Sequence, residues 1–132
     1  MNKKYPMLLS PGSIGKVELK NRIVMSAMGM NQSDDGFVND TVIEHYTARA
    51  RGGAGLIIVE VTCVDAPLGK NTGNPLILDG DKYIPGMQRL TDAIHAEGAK
   101  CFLQISHAGR GAFRRITGMQ PVAPSAVAMP YS

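Results

Sequence analysis

The chain has 132 residues, of which 44% are hydrophobic and 19% charged, a composition typical of a globular domain rather than a disordered segment. Its formal net charge is +3, and the basic residues form no stripe interleaved with aromatic residues, which argues against a nucleic-acid partner. The sequence contains no run of about 18 apolar residues, so neither a transmembrane helix nor a membrane partner is predicted.

The cysteines and histidines show no arrangement that suggests a metal. Cys63 and Cys101 form neither a CxxC motif nor a set with metal-ligand spacing, and the three histidines lack such spacing as well. Residues 1–11 contain two lysines but lack the apolar core of a secretory signal. We therefore expect reduced thiols in a cytoplasmic protein without a metal site.

In chain order, the first predicted element is a small hairpin. Residues 10–12 (Ser-Pro-Gly) and Gly15 bracket two short apolar pieces. Three apolar runs without polar alternation follow, at residues 23–25, 56–59 and 101–103. Short continuous runs of this kind are typical of strands that are buried on both faces, as in parallel sheets.

Two helical segments separate the three predicted strands. The first opens near Thr41, which forms the S/T-x-x-E pattern of a capping box with Glu44, and it ends at Gly52. The second is predicted over about residues 83–97, where apolar residues recur at helical spacing, and it ends at Gly98.

The order strand, helix, strand, helix, strand predicts two βαβ units of a parallel sheet. Long loops follow the first two strands, at residues 27–39 and 61–81, where such folds place their sites. A doubly wound dinucleotide fold is disfavoured, because the segment after the first strand, residues 26–30, contains no G-x-G-x-x-G. Residues 118–132 have no periodicity and are predicted to be a loop.

Four fragments that span nearly the whole chain carry a family resemblance. They are LKNRIVMSAM at 19–28, HY at 45–46 with GGAGLI at 52–57, Q at 104 with HAGR at 107–110, and PVAPSA at 121–126. In this order they resemble the opening strands, helix and loops of the old yellow enzyme family. Within it, the chain is most similar to the bacterial NADH:flavin oxidoreductases related to 2,4-dienoyl-CoA reductase.

The resemblance implies an α/β fold in which residues 1–132 form the N-terminal portion of a (β/α)8 TIM barrel, with three parallel strands, two helices and a preceding β-hairpin. The remainder of this FMN-binding domain would lie outside these residues. The resemblance also implies FMN at the barrel mouth, NAD(P)H as reductant, and an enone or enoyl thioester whose activated C=C bond is reduced. The family's substrate-binding pair, its proton-donating tyrosine and its phosphate-binding arginine would lie beyond residue 132. No catalytic residue is therefore assigned.

The resemblance further implies which residues meet FMN. Ala27 and Met28 end the first strand and would lie along the isoalloxazine ring. Gly29 stands where relatives carry Cys, Thr or His, and it would offer room or a φ that other residues dislike. Val61 stands where relatives place a small residue whose backbone contacts the flavin. The Gln104 amide can donate and accept together, which matches the pyrimidine edge of a flavin.

Other polar residues are interpreted as structural. We expect Glu60 to pair with a basic side chain rather than to act in catalysis. His107 and Arg110 are expected to shape the loop after the third strand, although a histidine and an arginine could also serve acid–base chemistry or phosphate binding. His45 and His95 lie on the helices and are expected to be surface or packing residues.

Two alternatives to the flavoenzyme interpretation remain at this point. The chain could be a truncated or split gene product without activity, stable only by self-association or with a partner that supplies the missing strands. The unpaired edge of the third strand favours this alternative. It could also be a different phosphate-binding barrel enzyme that matches these fragments by chance. A purified chain that is yellow and releases flavin on heating would support the flavoenzyme interpretation over the truncated product.

Overall fold

The computed structural model describes residues 4–130 and contains the predicted N-terminal hairpin. Strand β1 (Gly12–Ile14) pairs antiparallel with β2 (Val17–Leu19). Gly15 lies in the turn between them with φ +57°, a left-handed conformation that glycine adopts without steric cost. The hairpin prediction is therefore confirmed.

A parallel sheet is built around one long central strand. Its members are β3 (Val24–Met25), β4 (Leu56–Cys63), β5 (Leu76–Ile77) and β6 (Lys100–Ser106), each of the other three parallel to β4. Strand β6 pairs with β4 along nearly the whole length of β4 and occupies one of its edges. Strands β3 and β5 therefore share the other edge, where β3 pairs with the start of β4 and β5 pairs with its end. The predicted parallel order is confirmed.

The strands extend beyond the predicted runs. Strand β4 continues to Cys63, so Val61 lies within a strand and not at the start of a loop. Strand β6 continues to Ser106, which places Gln104 inside the strand. Strand β5 was not predicted, because its two residues are too short a run to stand out from the surrounding loop.

The helices are α1 (Asp40–Arg51), α2 (Ile84–Ala96) and the short α3 (Arg114–Thr117), with 3-10 turns at Asp81–Tyr83 and Gly109–Gly111. The two long helices are confirmed, but the capping box is wrong. The N-cap is Asn39, whose Oδ1 accepts a hydrogen bond of 3.0 Å from the backbone N–H of Val42. Thr41 already lies inside the helix and therefore cannot cap it.

No regular element follows α3 in the described chain, in agreement with the loop predicted there. The last two residues of that prediction, 131 and 132, lie outside the described residues. Residues 1–3, which begin the segment that lacks the apolar core of a secretory signal, lie outside them as well. None of the helices within residues 4–130 is long and apolar enough to cross a membrane.

The hydrophobic core lies between the sheet and the helices α1 and α2. It contains Val38, Val42, Tyr46, Ala50, Ala54, Ile57, Val59, Leu76, Leu90, Ile94 and Ala99. Cys101 and Leu103 of β6 also pack against this core. Because alternate residues of a strand point to opposite faces, Phe102 and Gln104 face away from the helices, and both are exposed.

The sequence predicted burial on both faces for every strand. This is correct for β4, in which every residue is buried or half-buried, and wrong for β6. The reason is that the face carrying Phe102 and Gln104 has no further element packed against it within residues 4–130.

Candidate functional site

A β-bulge lies at the carboxyl end of the central strand. Val59 pairs with Leu103 and Thr62 pairs with Ile105, so the two residues Glu60 and Val61 of β4 face the single residue Gln104 of β6. Such a bulge redirects side chains, and bulges are over-represented next to active sites. The register therefore brings together two predicted site residues, Val61 and Gln104, that are far apart in sequence.

A helix side chain satisfies the backbone at this bulge. The Tyr46 hydroxyl accepts a hydrogen bond of 2.8 Å from the backbone N–H of Glu60. Tyr46 is fully buried, and this burial raises the pKa of its phenol well above the usual range. The hydroxyl therefore stays protonated, and its role here is to hold the strand against α1.

The side chain of Glu60 does not pair with a basic residue, so that prediction is wrong. Glu60 is 2% exposed, and its Oε2 accepts hydrogen bonds from the backbone N–H groups of Met30 at 2.5 Å and Asn31 at 3.3 Å. Two consecutive N–H groups that converge on one oxygen form an anion-binding nest, which replaces a cation as partner. Within residues 4–130, Oε1 has no hydrogen-bond partner.

Further contacts attach the loop after β3 to the loop after β4. The Asn31 side chain accepts a hydrogen bond of 2.6 Å from the backbone N–H of Asn74. The Ser33 hydroxyl accepts from the N–H of Gly36, and its single proton faces the carbonyls of Pro75 at 2.8 Å and Asn74 at 3.0 Å. The segment 26–31 is therefore held by β4 on one side and by the next loop on the other.

Gly29 lies in this segment beside Glu60. A Cβ built at Gly29 would lie 3.9 Å from Glu60 Oε2, an ordinary van der Waals distance, and would meet no other non-adjacent atom of the described chain within 4 Å. Its φ is outside the left-handed region, so the suggestion of a φ that other residues dislike is wrong. What Gly29 provides is room.

The exposed face near the bulge combines apolar surface with one free amide. Met28 is 62% exposed and Phe102 is 37% exposed. The Gln104 side chain is exposed and makes no hydrogen bond within residues 4–130. A planar aromatic cofactor with a hydrogen-bonding edge needs both of these features, so the residues fit a flavin. Ala27 is half-buried between β3 and Met28.

His107 links the loops after β4 and β6. Its Nδ1 accepts a hydrogen bond of 2.9 Å from the Gly109 N–H, so in the neutral ring Nε2 carries the proton and donates to Asp65 Oδ2 at 3.2 Å. These contacts match the structural role expected for it. Arg110 is exposed beside the segment 121–129, which with it encloses a cavity of about 570 Å³.

The other two histidines lie away from the bulge. The His45 ring contacts the Tyr46 ring edge-on at 5.0 Å, and burial together with the Arg49 charge lowers its pKa. His95 lies 3.7 Å from the Cys101 thiol, whose pKa is raised by burial. The part of the chain that the structure describes has no group of three or more residues able to hold a metal ion.

Sequence inspection missed the structural roles of Tyr46 and Glu60. Both residues were noticed, Tyr46 within a family fragment and Glu60 as an acid at a strand end. A signal was present in the acid itself, because a carboxylate inside an apolar strand run must find donors when it is buried. Its donors lie 29 and 30 residues earlier in the chain, where no local pattern indicates them.

Parallel strands alternate with helices, and polar and apolar residues lie together at the carboxyl ends of the strands. This is the arrangement of the opening portion of a (β/α)8 barrel. Residues 7–131 match the model of the NADH:flavin oxidoreductase / NADH oxidase family. The chain belongs to this family, whose members use FMN with NAD(P)H as reductant.

Individual proteins agree with this assignment. The chain is 52% identical over 125 residues to the NADH oxidase of Thermoanaerobacter brockii, a match that covers 93% of the chain and 19% of that protein. A structure of 2-naphthoyl-CoA reductase in complex with 2-naphthoyl-CoA superposes with a TM-score of 0.89 at 33% identity, covering 96% of the chain and 21% of that protein.

An old yellow enzyme homologue from Zymomonas mobilis superposes with a TM-score of 0.81 at 33% identity, covering 95% of the chain and 35% of that protein. The chain thus spans between about a fifth and about a third of the length of these relatives. The fold that they share with it confirms the partial TIM barrel and the old yellow enzyme resemblance.

Proposed function

We propose that this chain forms one side of the FMN site of an NAD(P)H-dependent oxidoreductase that reduces activated C=C bonds of α,β-unsaturated carbonyl or thioester substrates. In this proposal Ala27, Met28, Gly29, Val61 and Gln104 contact FMN. The observation that supports it best is the juxtaposition of the free Gln104 amide with the β4 bulge on an exposed, largely apolar face.

Each residue has a distinct part. Met28 offers an apolar side chain for stacking, and Ala27 leaves the backbone accessible to a planar ring. Val61 contributes backbone at the bulge, where a strand presents groups that regular pairing would occupy. Gln104 donates to a carbonyl and accepts from an N–H of the pyrimidine edge. Bound FMN supplies the hydride chemistry, and these residues orient it.

The substrate class follows from the relatives and from the room at Gly29. A small residue beside the reactive edge leaves space for a flat conjugated substrate. One similar protein is a reductase of an aromatic CoA thioester by its name, and another is an old yellow enzyme homologue. The first of these names supports a small-molecule acceptor that carries a conjugated thioester.

The test uses the whole protein that carries this chain. It should purify yellow and release flavin on heating, NAD(P)H should bleach the flavin without oxygen, and an added enone or enoyl thioester should restore the colour. Gln104→Ala should weaken FMN binding about fivefold or more, because a buried partner loses its hydrogen bond. Gln88→Ala on the outer surface of α2 is the matched control and should leave binding unchanged.

One result would contradict the proposal and another would contradict one of its residue assignments. A colourless protein that binds no added FMN would favour the alternative of a product without activity of its own. If Gln104→Ala bound FMN with an affinity within about twofold of wild type, Gln104 would not be an FMN contact. That result would not contradict FMN binding by the protein.

A further inference from the structure

The side chain of Glu60 holds the loop that follows β3. Its buried carboxylate accepts hydrogen bonds from the successive N–H groups of Met30 and Asn31. Asn31 has φ +58°, a left-handed conformation that an asparagine adopts more readily than most residues. The turn at these two residues directs both N–H groups to one carboxylate oxygen, so the loop conformation and the carboxylate depend on each other.

The loop is attached to β4 at two nearby points. Met25 pairs with Ile57 in the parallel ladder, and Met30 bonds to Glu60 three residues further along β4. Residues 26–29 connect these two points of attachment. This short segment contains three of the five residues proposed to contact FMN, and Glu60 fixes its end at Met30.

The bulge adds a second constraint on the same side chain. Because the Tyr46 hydroxyl accepts from the backbone N–H of Glu60, the residue is fixed through its main chain to α1 and through its side chain to the loop. Gly29 has no side chain, and a Cβ built there would lie 3.9 Å from Glu60 Oε2. The carboxylate of Glu60 therefore lies beside the segment that would contact the proposed cofactor.

We infer that Glu60 is a positioning residue for the flavin site: it does not react, but it fixes residues 27–29 in the conformation that receives the isoalloxazine ring. This inference rests on the proposed function. It goes further by assigning a role to a buried acid that lies outside the set of proposed FMN contacts. A carboxylate that served only to stabilise the fold would leave FMN affinity and the environment of the ring unchanged.

The experiment compares three variants of the whole protein. Glu60→Ala removes both acceptor bonds, and Glu60→Gln keeps one carbonyl oxygen for them. Leu90→Ala removes a core side chain of α2 and leaves the hydrogen-bonding atoms of Glu60, Met30 and Asn31 unchanged. FMN dissociation constants, visible spectra of the bound flavin and hydrogen exchange at the Met30 and Asn31 amides are measured for each. None of these readouts depends on turnover.

Glu60→Ala should weaken FMN binding about tenfold or more, shift the flavin spectrum and speed exchange at both amides, since charge-assisted bonds are lost. Glu60→Gln should recover most of the affinity, and Leu90→Ala should bind FMN as wild type does despite a lower Tm. An affinity for Glu60→Ala within about twofold of wild type would overturn the inference and leave the proposed function standing. Equal losses in Glu60→Ala and Leu90→Ala would also overturn it. A wild-type protein that binds no FMN would instead refute the proposed function, and this inference with it.

Discussion

The Tyr46 hydroxyl accepts a 2.8 Å hydrogen bond from the backbone N–H of Glu60 and thereby joins α1 to the bulge of the central strand. A bulge leaves a main-chain donor without a ladder partner, and a buried donor must find another acceptor. The family fragment HY at 45–46 thus includes Tyr46, whose hydroxyl is the acceptor for the main-chain donor at the bulge. Through it, the helix that packs the core also supports the proposed site.

Tyr46→Phe should lower the stability of the protein while preserving the shape of the core. The ring stays in place, but the Glu60 N–H loses its acceptor in a buried position, which costs about 1–3 kcal/mol. Urea unfolding of the variant and the wild type measures the difference. A loss below about 0.5 kcal/mol would mean that water or another group satisfies this N–H.

The helix start can be tested by two alanine substitutions. Asn39→Ala removes the hydrogen bond to the Val42 N–H and should cost about 1 kcal/mol. Thr41→Ala should be neutral or slightly stabilising, because Thr41 lies within the helix and alanine has the higher helix propensity. Thermal melts of both variants provide the comparison. If Thr41→Ala lowered the Tm more than Asn39→Ala, the capping box of Thr41 and Glu44 that the sequence indicated would be correct.

Two glycines of the same loop should respond differently to alanine. Gly29→Ala should change the free energy of unfolding by no more than about 0.5 kcal/mol, because its φ is ordinary and the added Cβ meets only Glu60 Oε2 at 3.9 Å. Gly36→Ala should cost about 1–3 kcal/mol or more, because φ is +88° and a Cβ would lie 2.5 Å from Ile77 Cδ1. Chemical denaturation of both variants measures the two changes in the free energy of unfolding. Similar changes for Gly29→Ala and Gly36→Ala would contradict the backbone geometry described for these two glycines.

The lowered pKa of His45 predicts a pH dependence of stability. The folded chain keeps this ring neutral at pH values where the unfolded chain, with a pKa near 6.5, already binds a proton. Because the unfolded state then binds more protons, stability should fall as the pH drops below 6.5 and should stop falling below the folded pKa.

Comparing Tm at about pH 7.5 and about pH 5.5 tests this. His45→Gln should reduce the loss on acidification, and the same substitution at the exposed His95 serves as the control. A pH profile that is identical in wild type and His45→Gln would show that the environment assigned to His45 is wrong.

A polypeptide of these 132 residues alone should associate rather than remain a compact monomer. Val24, Phe102 and Ile105 are 44%, 37% and 68% exposed, and covering each would gain a corresponding part of the about 1.5–3 kcal/mol that complete burial is worth. Sedimentation at increasing concentration should show self-association, which would agree with the alternative of a homo-oligomer. A concentration-independent monomer with slow hydrogen exchange in β3, β4 and β6 would contradict the prediction.

Much of the fold could be predicted because its signals are local. The hairpin, the apolar runs of β3, β4 and β6, the two long helices and the stops at Gly52 and Gly98 each depend on residues a few positions apart. Backbone preference and side-chain periodicity act at that range. For the same reason the order of strands and helices, and with it the parallel sheet, followed from the sequence alone.

The tertiary structure alone decided the bulge, the partners of Glu60 and the position of β5. The bulge exists because β4 and β6, which begin 44 residues apart, pair with a shift in register between Val59 and Thr62. Glu60 finds its donors in a loop that only the packing of β3 beside β4 brings within reach. Register and burial arise from contacts between segments that are distant in the chain, and no local pattern encodes them.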